Sequence, residues 1–126
     1  MFALPIPAYR FSNVVDIIKK YNCNLALDIA NMNSDDLETI FINKLDDFAP
    51  YLSLIYISDK SKSGVPHLLP GEGILKLPSF LKKVNKSGYL RPFSVKLALS
   101  KEELADSDKI EILLTKAKEF IEKYGQ

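Results

Sequence analysis

Apolar and polar positions along the chain switch repeatedly between the short runs of buried strands and the three-and-four spacing of helix faces. Phe2 to Ala8 reads as a first strand, followed by a stretch in which Val14, Val15, Ile17, Ile18 and Tyr21 share one helical face. Leu25 to Ile29 is a second strand; Ser34 then supplies an N-cap, and Asp35 and Asp36 an acidic first turn, ahead of the stripe Leu37, Ile40, Phe41 and Leu45. Leu52 to Ile57 is a third strand, apolar throughout except for Ser53, and it opens into the longest loop, Ser58 to Gly73. Pro78 suits a helical first turn, Phe80, Leu81 and Val84 form the stripe behind it, and Gly88 fits the left-handed residue that closes a helix. Phe93 to Leu99 is the fourth strand. Ser100 with Glu103 makes a capping box, Ser107 and Asp108 mark a break, and Ile110, Leu113, Leu114, Ala117, Phe120, Ile121 and Tyr124 repeat at helical spacing.

Four strand-then-helix units in succession predict a parallel sheet covered by helices, with its strands buried on both faces. Such a chain is an α/β domain: either half of a (β/α)8 barrel or a small open sheet. No repeat, low-complexity tract or linker divides it, so residues 1–126 are expected to form a single domain.

Composition then removes function classes. The 126 residues are 47% hydrophobic and 26% charged, as in ordinary globular domains, which is enough to build a core without a metal or disulfide staple. Seventeen basic against sixteen acidic residues leave a net charge of +1, too little field to gather nucleic acid or an anionic membrane. Lys60, Lys62, Lys82, Lys83 and Lys86 lack interleaved aromatics and read as a solvated face. No apolar run approaches the roughly 20 residues that cross a bilayer. The lone Cys23 has no intrachain disulfide partner and the N-terminus lacks a signal-peptide pattern, so the cytoplasm is the expected compartment.

In parallel α/β folds ligands sit at the carboxyl ends of the strands, and the polar residues there are few. Asp28 and Asn31 end the second strand, Tyr56, Ser58 and Asp59 the third, His67 and Glu72 lie in the loop that follows, and Lys96 interrupts the fourth. A carboxylate in the run Leu25-Ala26-Leu27-Asp28 needs a partner, because burying it alone costs several kcal/mol or shifts its pKa. Lys96 poses the same question with opposite sign, unless its stem carries the ammonium out to water. His67 is the only histidine, which excludes a multi-histidine zinc site within this chain, and no nucleophile elbow accompanies it. Gly71-Glu72-Gly73 is a tight-turn signal, too short for a phosphate-binding fingerprint.

Taken in order, Asp28-Ile-Ala-Asn31, Tyr56-Ile-Ser-Asp59, His67-Leu-Leu-Pro-Gly71-Glu-Gly73 and Ser87-Gly88-Tyr89 before a last strand resemble the second half of the xylose-isomerase-like barrels. That superfamily holds sugar and sugar-phosphate isomerases and epimerases, and an apurinic endonuclease. The resemblance implies a half-barrel of four parallel β/α units, whose partner is a second copy of the chain or a complementary N-terminal half-barrel. In the family this half carries Asp-x-x-His, His-x-x-Asp, a His before Gly-x-Gly and a strand Glu, which together bind divalent metal. The present chain keeps Asp28, Asp59 and His67 but has Asn31, Tyr56 and Lys96 in place of the other three. Asn and Tyr are poor ligands, and Lys96 brings a positive charge into the space of a cation.

The resemblance therefore implies a barrel half with a degenerate metal site, working as a non-catalytic binding or assembly module, with no cofactor and no catalytic residue assigned. The other reading is a subunit of a divalent-metal-dependent sugar or sugar-phosphate isomerase or epimerase that another chain completes. Either way Asp28, Asn31, Tyr56, Asp59, His67, Glu72 and Lys96 are the ligand-binding candidates, and a sugar or sugar phosphate is the ligand class the resemblance brings. Nucleic acid and membrane are not expected partners.

Overall fold

The computed structural model describes residues 11–32 and 45–125. Helix α1 (Phe11–Tyr21) leads into strand β1 (Leu25–Asp28) and a single 3-10 turn, Ile29–Asn31. A short helix α2 (Leu45–Phe48) and the 3-10 turn Ala49–Tyr51 precede β2 (Leu52–Ile57). Helix α3 (Leu77–Lys86), β3 (Phe93–Val95), the short α4 (Lys101–Leu104) and the long α5 (Ser107–Tyr124) complete the described order. The expected first strand, and most of the helix expected after Ser34, lie outside the described residues. What is described is therefore a three-stranded sheet, in the order β1-β2-β3 with both pairings parallel.

Register decides which side chains share a face. Leu27 pairs with Ile55 and Ile55 with Phe93; one residue on, Asp28 pairs with Tyr56 and Tyr56 with Ser94. Leu25, Leu27, Ile55 and Ile57 join one buried core with Ile18 of α1 and with Leu77, Phe80, Leu81 and Val84 of α3. The four α3 residues follow the i, i+3, i+4, i+7 rule, so one stripe of that helix lies against the sheet. Pro78 stands in its first turn, the Ser87 hydroxyl donates to the Val84 carbonyl at 2.6 Å, and Gly88 at φ +83° turns the chain out of the helix. Tyr89 then tucks in, donating its hydroxyl to the Pro92 carbonyl at 2.6 Å and meeting Phe93 edge-on. Burial pushes its phenol up to about 12, against a smaller opposing pull from Arg91.

Two expectations need correction. The strands are not buried on both sides: Ala26 is covered, but Leu54, Tyr56 and Ser94 on the face away from α3 are only half-buried. The last strand also stops at Val95 rather than Leu99. Its neighbour β2 ends opposite Val95, at Ile57, so the alternating residues beyond have no ladder to join; Ala98 instead donates its N–H to the His67 carbonyl at 3.0 Å. The capping box at Ser100 and Glu103 is present, and Asp106 caps α5 through the N–H groups of Asp108 and Lys109. On α5 only Ala117 is fully buried, Phe120, Ile121 and Tyr124 pack on the edge of the core, and Leu114 faces water.

Candidate functional site

The carboxyl ends of β1, β2 and β3 face the loop 58–75, and that loop is built around one side chain. Asp59, 1% exposed, accepts the N–H of Lys60 and of Leu75 on Oδ1, at 2.8 and 3.0 Å, and the N–H of Gly71 on Oδ2 at 3.0 Å. Its own backbone exchanges two hydrogen bonds with Leu68, and the Lys60 carbonyl accepts from Ile74 at 2.8 Å. Gly73 passes so close that a Cβ there would overlap both the Lys60 carbonyl and the Asp59 carboxylate. A buried carboxylate with three backbone donors is an anion whose solvation has been replaced by the loop itself.

That frame delivers His67. The residue before the bridged Leu68 sits at φ +65°, a conformation that side-chain-bearing residues seldom adopt, and its carbonyl is held by Ala98. Its imidazole Nε2 lies 3.0 Å from Asp28 Oδ2. The same oxygen takes the Asn31 side-chain amide at 2.9 Å and the Lys96 ammonium at 3.2 Å. Nε2 donates to the carboxylate in this arrangement, so its 3.4 Å approach to the Asn31 nitrogen is a contact between two donors to one acceptor. Tyr56 lies in the row between Asp28 and Ser94, and Lys96 Nζ stands 5.3 Å from the centre of its ring.

Five of the seven sequence-predicted residues thus meet: Asp28, Asn31, Tyr56, His67 and Lys96. Asp59 is close in sequence but faces the interior of the loop, and Glu72 is exposed and takes no part in the cluster. Asp28 is used unevenly. Oδ2 has three donors, while Oδ1 is buried without a partner; Ser58 Oγ is a second buried oxygen without one. Ser58, two residues beyond Tyr56 in the chain, was legible as a strand-end polar residue, yet nothing in the sequence marked its burial. The part played by Gly73 was also missed, although a glycine is what so close an approach of two backbones requires.

The family model of the xylose isomerase-like TIM barrels matches residues 5–116. The chain belongs to that family. No individual curated protein matches it. Among the described residues no helix is long and apolar enough to cross a membrane.

The xylose isomerase-like barrels resembled here use divalent metal, and the residues present do not fit one. Among the described residues no three His, Cys, Asp or Glu side chains come together as a ligand set. Asp59 offers no free oxygen, and the oxygen of Asp28 that His67 addresses is already shared with a fixed cation. What the cluster provides is a carboxylate, an imidazole, an amide and an ammonium held at the mouth of a parallel sheet.

Proposed function

We propose that residues 1–126 form one half of a xylose-isomerase-like barrel, with four parallel β/α units, acting as a metal-independent binding or assembly module rather than as an isomerase. The observation that supports this reading is the commitment of Asp59 to the three backbone N–H groups of its own loop. Asp59 is also sealed from solvent, so a cation could reach it only if the loop opened and left those donors buried and unpaired. The remaining pair, Asp28 and His67, falls short of the three protein ligands that even an open zinc site uses.

The partner is a second copy of the chain or a complementary half-barrel. Two features support it: the half-buried Leu54, Tyr56 and Ser94 on the sheet face away from α3, and β3, which has no neighbour on its outer side among the described residues. A sheet face only partly covered and an edge without a described neighbour both favour association. The candidate ligand is a small polar molecule held by Asp28, Asn31, His67 and Lys96, with Tyr56 as floor.

Sedimentation combined with metal analysis of the same sample tests the reading. The expected result is a mass above that of the monomer and less than a tenth of an equivalent of zinc, manganese or magnesium after dialysis. A concentration-independent monomer would remove the assembly role. Stoichiometric metal, alone or on adding a complementary half, would return the metal-dependent isomerase.

A further inference from the structure

We infer that the Lys96 ammonium supplies, from within the chain, the positive charge that a divalent ion would bring to Asp28 and His67, so that this side chain keeps such an ion out. The inference rests on the metal-independent reading above and deepens it. Three observations carry it.

The first is reach. Asp28, Tyr56 and Ser94 lie in one row across the sheet, and Lys96 follows Ser94 by two residues, on the same side. Two strand spacings separate the backbones of β1 and β3, about 10 Å, so a lysine meeting Asp28 must cross the whole width of β2. It does so over the Tyr56 ring and ends 3.2 Å from Asp28 Oδ2. A side chain merely carrying its charge to water has no reason to take that route.

The second is convergence. His67 Nε2 is aimed at the same oxygen, from a loop that holds the residue in a rarely adopted backbone conformation and pins it through Ala98 and through the Asp59–Leu68 bridge. An imidazole nitrogen and a carboxylate fixed in place by rigid surroundings are what a metal centre asks of its ligands. Here the imidazole and the Lys96 ammonium converge on Asp28 Oδ2.

The third is the oxygen left over. Asp28 Oδ1 is buried without a partner beside an Oδ2 that has three donors. A metal ion attracts the carboxylate as a whole, whereas an ammonium reaching in from one side satisfies one oxygen only. A dication bound to Asp28 would lie within a few Å of the Lys96 charge, and two protein ligands cannot offset repulsion at that range.

Exchanging the ammonium for a carboxylate tests this. Lys96→Glu removes the charge and places a third ligand beside Asp28 and His67, giving the count of an open zinc site. Zinc and cobalt(II) would be titrated into the purified full chain, by calorimetry and by the visible absorption of cobalt. Wild type is expected to show no saturable binding and Lys96→Glu one equivalent, lost again when Asp28→Asn is added. Lys96→Gln, which removes charge without adding a ligand, should give a smaller gain and serves if the glutamate variant fails to fold. Folded Lys96→Glu and Lys96→Gln proteins that bind no better than wild type overturn the inference while leaving the metal-independent reading intact. Tight, stoichiometric binding by wild type overturns both.

Discussion

Two aspartates at the tips of neighbouring strands have opposite lives. Asp59 is sealed inside loop 58–75, each oxygen serving backbone donors; Asp28 stands at the mouth of the sheet, 17% exposed at its side chain, and serves other side chains. The same chemical group thus builds a scaffold in one place and presents chemistry in the other. The difference is one of position: Asp28 is the last residue of β1, in a row with Tyr56, whereas Asp59 lies beyond the end of β2, where the returning loop pairs with it through Leu68 and supplies donors.

The largest expected effect follows from breaking the scaffold member. Asp59→Asn puts an amide nitrogen against backbone N–H donors and removes the charge they solvate, so it should destabilise the fold by about 3 kcal/mol or more. Asp28→Asn, at a wetter site with movable partners, should cost about 1 kcal/mol or less. Urea unfolding of both variants checks the contrast; equal losses would dissolve the distinction between the two aspartates. Hydrogen exchange sharpens it, since the amides of Lys60, Gly71 and Leu75 should lose protection only in the Asp59 variant.

A step down in size is Gly73→Ala. The added methyl meets backbone as well as the Asp59 carboxylate, so the loop must shift, at about 2 kcal/mol. Because it disturbs the same hydrogen bonds, its loss should not add to that of Asp59→Asn, whereas it should add to Asp28→Asn. Additivity with Asp59→Asn would mean that Gly73 is required for some reason other than the approach of that carboxylate.

Much of this frame is legible in the sequence. The run Leu52–Ile57 is a strand over its full length, and Pro78, the stripe Phe80, Leu81, Val84 and the exit at Gly88 bound α3 as their chemistry dictates. Strand-end logic also named the five residues that converge. What periodicity could not supply was register: a shift between Leu25 and Ala26 resets the pairing of β1 with β2 and puts Asp28 beside Tyr56. Nor could alternation foresee the end of β3 at Val95, because Leu97 and Leu99 continue the pattern while the neighbouring strand has already turned away to pair Asp59 with Leu68. The left-handed backbone at His67 was equally hidden, since histidine is not a residue that announces a positive φ.

The smallest effect is the most informative about the mouth of the sheet. If Lys96 and Asp28 were a dry pair, removing one partner would strand the other at a cost of about 3 kcal/mol. The Lys96 side chain is 49% exposed, however, so water screens the pair and the freed partner can be resolvated. The coupling measured by the cycle of Lys96→Met, Asp28→Asn and the double variant should therefore be only about 0.5 to 1 kcal/mol. Salt separates the two aspartates once more: raising ionic strength toward 1 M, where the Debye length is about 3 Å, should shrink this coupling and leave the cost of Asp59→Asn nearly unchanged, because buried charges are screened much less. Strict additivity at low salt would show that the lysine contributes nothing to Asp28 in solution. A coupling that resists salt would show that the mouth is drier than its exposure indicates, and would place Asp28 beside Asp59 among the structural carboxylates.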